Sequence, residues 1–253
     1  MNGSILKIEN LRKAFGGVVA LDDVNAEVEK GSIASIIGPN GAGKTTIFNI
    51  ITGYLKPTAG AILFEMDDIT GEKPHIIASH GVARTFQNVQ VFANMSVLEN
   101  VMVGRHIRSK SGFFTSTLIP PVFRSEEKII RKEAQKWLSF VNLESESDKS
   151  AGSLPLGNQR ILEIARALSM EPKLLLLDEP ASGLNARETL KMGDLIDKIK
   201  EMGITVILVE HDMELVMDIS DKVTVINFGR TITSGTPAEV QANPDVIAAY
   251  LGE

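Results

Sequence analysis

Gly38, Gly43, Lys44 and Thr45 stand in the run GPNGAGKTT, residues 38–46, at the spacing G-x-x-x-x-G-K-[ST]. Glycines so placed let backbone N–H groups turn inward around a polyphosphate. The lysine brings a positive charge to the outer phosphates, and the threonine hydroxyl is a hard oxygen donor for Mg2+. An apolar stretch at residues 32–37 (SIASII) predicts a strand ending in this loop. Residues 46–54 predict a helix with Ile47, Ile50 and Ile51 on one side, its positive end aimed at the anion. Strand before and helix after separate this run from an ordinary glycine turn. Gly38, Pro39, Asn40, Gly41, Ala42, Gly43, Lys44, Thr45 and Thr46 are therefore the expected ATP-binding residues.

A second constellation is LLLLDEP, residues 174–180. A buried strand carries Asp178 to its carboxyl end, where an acid beside a phosphate loop can hold Mg2+ through water. Glu179, next to it, can accept a proton from an attacking water or orient it. Alone, two acids after a strand make a solvated turn; with the phosphate loop they indicate metal-assisted phosphoryl transfer to water.

The elements that must position these groups alternate short apolar runs with helical patterns, which predicts an α/β architecture. Residues 173–177 (KLLLL) and 204–209 (ITVILV) predict strands buried on both faces of a parallel sheet, with a charged helix over 186–202 between them. Residues 6–10, 24–28 and 61–65 predict strands in the first third, and 223–227 with 231–233 a hairpin around Gly229. Residues 126–141 predict a helix burying Ile130, Ala134, Trp137, Leu138 and Val141, which gives Trp137 a packing role only. Ahead of it, the apolar stretch 111–123 ends in two prolines that bar a regular helix through its end, leaving a tucked loop or a docking surface. Thr236-Pro237-Ala238-Glu239 fits a capping box, and Asn243-Pro244 repeats the cap-and-proline start.

Composition narrows the class. The 253 residues are 43% hydrophobic, carry a formal net charge of −6 and contain no cysteine. Disulfides, thiolate zinc sites and iron–sulfur clusters are excluded. The acidic balance argues against a general nucleic-acid partner, which needs a basic face. No apolar run approaches the ~20 residues that cross a bilayer, and the first residues lack a signal-peptide core, so any link to a membrane is expected through a partner.

Leu154, Pro155, Leu156, Gly157 and Asn158, in LPLGNQR ahead of the helical stripe ILEIARAL, resemble the signature segment of ABC ATPases. The order of elements carries the resemblance across nearly the whole chain. Gln87 in RTFQN falls where that family has its Q-loop, and Ser182, Gly183, Leu184 and Asn185 occupy the D-loop. His211 in VEHD takes the place of the switch histidine. Phe15 in KAFGGVVAL is placed like the aromatic that stacks on adenine, with Ala20 beside it on the nucleotide. The resemblance implies a P-loop NTPase (RecA-like) core formed by residues 1–85 and 161–253, with an N-terminal antiparallel β subdomain. It also implies an inserted α-helical subdomain over residues 86–160. In its terms Glu179, His211, Lys44 and Gln87 are catalytic, and Thr45, Gln87 and Asp178 serve Mg2+.

GVVALDDV, GPNGAGKTTIFNIITGYLKPTAG, GVARTFQNVQVFANMSVLENVMVG, EPASGLNARET, VEHDMELVMDISDKVTVINFGR and NPDVIAAYLGE are similar to one subfamily, the longer ATPase type of bacterial branched-chain amino-acid importers. The insert at 109–124 fits that type. The resemblance implies a peripheral subunit on the cytoplasmic face of the membrane. It would pair with a second ATPase subunit, or with itself in isolation, and drive two permease subunits fed by a solute-binding protein. Two such chains would sandwich two ATP molecules, each signature segment acting on the ATP held by the partner's loop. Pro155 departs from the signature serine, Leu156 from its first glycine, Asn158 from its glutamine and Asn185 from the D-loop aspartate. Pro155 removes a hydroxyl and an N–H, and is expected to weaken the partner's site or to be a helix-start variation. Rival readings are a lipopolysaccharide-export or urea-import ATPase and a soluble ABC ATPase. The insert and FNIITG favour amino-acid import, and no coiled-coil insertion, fused second ATPase or basic linker favours the soluble class.

Overall fold

The computed structural model describes residues 3–106 and 121–251. In chain order its elements begin with β1 (Ser4–Phe15), β2 (Val18–Glu29), β3 (Ile33–Ile37), α1 (Lys44–Ile51), β4 (Ala59–Phe64) and β5 (Asp67–Asp68). Then come α2 (Pro74–His80), β6 (Val82–Arg84), α3 (Val97–His106), α4 (Pro121–Phe140) and α5 (Leu156–Leu168). The chain continues through β7 (Leu174–Asp178), α6 (Ala186–Glu201), β8 (Thr205–Val209) and α7 (Met213–Ile219). It ends with β9 (Lys222–Asn227), β10 (Arg230–Gly235), α8 (Pro237–Gln241) and α9 (Pro244–Leu251).

The chain divides into two compact units, Met1–Arg84 with Lys173–Glu253, and Thr85–Pro172. The division expected from the sequence returned to the first unit at residue 161. The structure places the return at 173, because a boundary at 161 would cut α5 within its first turns, and α5 packs on α3 and α4.

The first unit holds two sheets. One is antiparallel, in the order β2-β1-β4-β5. The other runs β10-β9-β3-β8-β7-β6, with every pair parallel except β10 on β9. Every residue of β3, β7 and β8 is buried, as their unbroken apolar sequences require of strands inside a parallel sheet. Leu11, Leu21, Phe48, Ile51, Phe64 and Ile207 belong to one continuous hydrophobic cluster. The antiparallel strands are much longer than expected: β1 and β2 span twelve residues each. Register shifts between Ser4 and Leu6, Ile8 and Leu11, and Leu11 and Lys13 interrupt their pairing. Each shift breaks the in–out alternation by which a strand is recognised.

In the second unit α3, α4 and α5 pack on one another. Ile130, Ala134, Trp137 and Leu138 are buried along α4, and Val141 is buried just past its end, as the periodicity predicts. This helix begins at Pro121, five residues before the expected start at 126; proline is tolerated there because a first-turn N–H has no helical acceptor to lose. The rest of the apolar stretch 111–123, and most of the insert 109–124, lie outside the described residues. Both late helices start where the capping signals place them: Thr236 and Glu239 form a reciprocal capping box, and the Asp245 N–H donates to Asn243 Oδ1 at 2.9 Å.

Candidate ATP site

Three loops at the carboxyl ends of β3, β7 and β8 carry the site residues of the first unit. The loop after β3 is bound tightly from behind. A Cβ added to Gly38 would lie 2.0 Å from the Ile226 carbonyl oxygen in β9, so no side chain fits there. Gly43 has φ 110° and an added Cβ would lie 2.5 Å from Leu21 Cδ2 and 3.0 Å from the Ala20 carbonyl. The Gly229 N–H donates to the Ala42 carbonyl at 3.0 Å, so the β9–β10 turn also braces the loop. The helix expected at 46 begins at Lys44 instead, with Gly43 as its N-cap residue.

Lys44 is 6% exposed. Its ammonium donates to the Gly38 carbonyl at 2.6 Å and to the Pro39 carbonyl at 3.1 Å. Burial lowers its pKa, while Glu179 and Asp178 nearby act in the opposite direction. Three charged groups of the two sequence motifs are thus electrostatic neighbours. Thr45, one residue on, is exposed.

Asp178 ends β7 and is 2% exposed. Its Oδ2 accepts from Arg84 Nη2 at 2.7 Å, and Arg84 Nη1 donates to Asn49 Oδ1 at 2.7 Å and Thr52 Oγ1 at 3.2 Å. The guanidinium lies 5.5 Å from the Phe48 ring centroid. A buried carboxylate requires such a partner, and Arg84 in β6 supplies it. Reasoning from sequence passed over Arg84; the available signal was a charged residue closing the apolar strand VAR.

Glu179 has φ 51°, a left-handed conformation that costs a non-glycine residue about 1–3 kcal/mol and persists only where the surroundings fix it. Here its N–H donates to the Val209 carbonyl at 2.8 Å, and its carbonyl accepts from the Ser182 N–H at 3.1 Å. The bend turns Glu179 toward the loop after β8, where His211 Nε2 hydrogen-bonds Glu179 Oε1 at 2.8 Å. Glu179 and His211, 32 residues apart in sequence, form one pair.

The turn continues through Ser182, Gly183 and Leu184 to Asn185, the N-cap of α6. Asn185 Oδ1 accepts the Glu188 N–H at 3.1 Å and its amide donates to Glu188 Oε2 at 2.8 Å. Asparagine therefore keeps the cap an aspartate would form and adds a donor. At the β1–β2 turn, Phe15 is 46% exposed with Lys13 Nζ 4.9 Å from its ring centroid, and Ala20 presents its carbonyl to Gly43.

Gln87 and the segment Leu154, Pro155, Leu156, Gly157 and Asn158 belong to the second unit. Within it, the Gln87 carbonyl accepts from Arg160 Nη1 at 3.4 Å. Pro155 is the N-cap of α5 and offers no side-chain cap. Its carbonyl accepts the Gln159 N–H at 3.0 Å, and Gln159 Nε2 donates back to the Leu154 carbonyl at 2.9 Å. Leu156 is 46% exposed, whereas Gly157 is buried.

The donor set suits Mg2+. Asp178 and Thr45 offer hard oxygens, and the described residues hold no cluster of three or more His, Cys, Asp or Glu able to bind a metal alone. Mg2+ characteristically takes one or two protein oxygens and completes its shell with phosphates and water.

The family model described as ABC transporter matches residues 21–182, and one described as branched-chain amino acid ATP-binding cassette transporter matches residues 230–253. The chain is 47% identical, over the full length of both, to the high-affinity branched-chain amino acid transport ATP-binding protein BraF of Pseudomonas aeruginosa. A nucleotide-free ATP-binding cassette from an ABC transporter superposes with TM-score 0.87 at 36% identity, covering 99% of this chain and 100% of that one. A dimeric post-hydrolysis cassette bound to ADP and phosphate superposes with TM-score 0.77 at 26% identity, covering 92% and 98%.

Proposed function

Because the chain belongs to the ABC transporter family of ATP-binding proteins, we propose that it is the ATP-hydrolysing subunit of an importer for branched-chain amino acids. The observation that carries the cargo is full-length identity of 47% to BraF, together with the match of residues 230–253 to the branched-chain model. No described helix is long and apolar enough to cross a membrane. In this reading, which rests on the likeness to BraF, the subunit works through permease partners and docks peripherally on the cytoplasmic face.

Residues 38–46 hold the triphosphate through backbone N–H groups, and Lys44 exchanges the Gly38 and Pro39 carbonyls for phosphate oxygens. Phe15 and Ala20 receive the adenine. Thr45 and Asp178 would hold Mg2+, which would supply charge neutralisation at the phosphates. Glu179 accepts the proton of the attacking water, and His211 orients Glu179 and faces the γ-phosphate. The segment 154–158 serves the ATP bound by a partner cassette, a role that needs two cassettes together; the solved cassette with ADP and phosphate is a dimer. Closure around two ATP molecules and reopening after hydrolysis drive the permeases.

The test is reconstitution with the permease and second ATPase subunits of a branched-chain amino-acid importer. ATPase activity should rise with binding proteins loaded with leucine, isoleucine or valine. Stimulation by urea, or activity only with lipopolysaccharide, would transfer the subunit to another ABC system. In the same assembly Glu179→Gln should bind ATP normally and lose about 100- to 10,000-fold in turnover.

A further inference from the structure

Glu210 follows β8, is 3% exposed, and has no part in the chemistry described above. Its two carboxylate oxygens are divided between two loops. Oε1 accepts the Ala181 N–H at 2.6 Å, in the turn that begins with Glu179, and Oε2 accepts the His211 N–H at 2.9 Å. The Asp212 N–H is directed to the same carboxylate. A buried acid with this many backbone donors is rigid, since losing any one bond would strand an N–H or an oxygen without solvent.

The arrangement bears on Glu179 directly. Its left-handed backbone is pinned at its own N–H by Val209, and two residues later by Glu210. His211, which meets the Glu179 carboxylate at 2.8 Å, is pinned at its N–H by the other oxygen of Glu210. One side chain therefore spans both ends of the Glu179–His211 contact.

We infer that Glu210 is a positioning residue for hydrolysis: by clamping the Ala181 and His211 amides it sets the register between the proton acceptor and its histidine. This rests on the reading of Glu179 as that acceptor. The effect is exerted through Glu179 and His211, without contact to ATP.

Glu210→Gln keeps the shape but replaces one accepting oxygen with an amide that cannot accept an N–H. In the assembled transporter it should lower kcat about 10- to 100-fold, the scale of a small misplacement of reacting groups, at unchanged KM for ATP. In a Glu179→Gln background the second change should cost nothing more in single-turnover hydrolysis, because the group being positioned is already gone. Unchanged kcat, a loss confined to KM, or a full additive loss in that background overturns the inference. If Glu210→Gln does not fold, amide hydrogen exchange on the wild-type chain decides. The Ala181 and His211 amides should be protected and open at one common rate, and independent rates overturn the clamp. Should Glu179→Gln itself retain wild-type turnover, the proton acceptor is misassigned and the positioning role falls with it. A silent Glu210→Gln beside an inactive Glu179→Gln removes only the positioning role.

Discussion

The phosphate loop with its acidic turn and the start of α5 are both sites for ATP in the reading above, yet they are held in different ways. In the first unit Gly38 is closed off by β9, Lys44 is buried, Asp178 is paired with Arg84, and Glu179 is fixed in a strained bend. In the second unit Pro155 and Leu156 are exposed, no side chain caps the helix, and one glutamine returns a bond to Leu154. The first region is tied into its own interior, as a surface that must hold a charge under desolvation has to be. The second presents backbone to whatever approaches it. A hydrolytic site divided between two chains needs that asymmetry: one half preorganised, the other free to arrive.

The strongest way to break this comparison is Lys44→Ala. If residues 38–46 bind ATP within one chain, the isolated protein should lose about 10- to 100-fold in affinity, the worth of a charge-assisted hydrogen bond or two. Fluorescent-nucleotide titration of the isolated chain measures it. Equal affinity in mutant and wild type would mean the loop does not hold the phosphates.

The same asymmetry explains what could be read in the sequence. The loop 38–46, the pair Asp178–Glu179 and the cap at Thr236 are local: the residues that act stand within a few positions of one another, and glycine, proline and strand endings announce them. Arg84 and Glu210 meet their partners 94 and 29 residues away, so no window contains both sides of the contact. Nothing in the letters DEP signals that Glu179 adopts φ 51°; the strain is imposed by Val209 and the turn behind it. Strands β1 and β2 were legible only in five-residue pieces because their register shifts break the alternation.

Pro155→Ser sharpens the other side. A serine at the N-cap of α5 can accept an early helical N–H, which should stabilise the fold by about 0.5–2 kcal/mol. Thermal melting reads that gain. The isolated chain's ATP affinity should not change, because this segment serves the partner's nucleotide. Turnover in the assembled transporter should rise a few-fold if the lost hydroxyl weakens the partner's site. A change in the isolated chain's own affinity would contradict the division into two halves.

The smallest effect separates the two regions by pH. Each holds a buried carboxylate whose pKa is raised by desolvation: Glu210 in the first unit and Glu163, 3% exposed in α5, in the second. For Glu163 the Gln90 N–H at 2.8 Å, Arg166 and Arg160 oppose the rise without cancelling it. A carboxyl whose folded pKa lies above its unfolded value binds more protons in the native state. Its contribution to stability is then largest at low pH and declines as pH rises from the ordinary carboxylate range through the folded pKa, staying flat above. Glu163→Gln keeps an oxygen for the Gln90 N–H and cannot ionise. The melting temperature of the variant relative to wild type should therefore climb as pH rises out of the ordinary carboxylate range and level once the folded pKa is passed. The attraction between Arg166 and the carboxylate exists only where Glu163 is ionised and is already contained in its folded pKa, so it adds no separate offset to the curve. Glu210 still titrates in the variant, so part of the wild-type slope must survive. A difference between variant and wild type that is constant with pH would show that Glu163 enters the folded state without a raised pKa, its contacts with Gln90, Arg166 and Arg160 then offsetting burial in full and leaving a charged carboxylate inside α5.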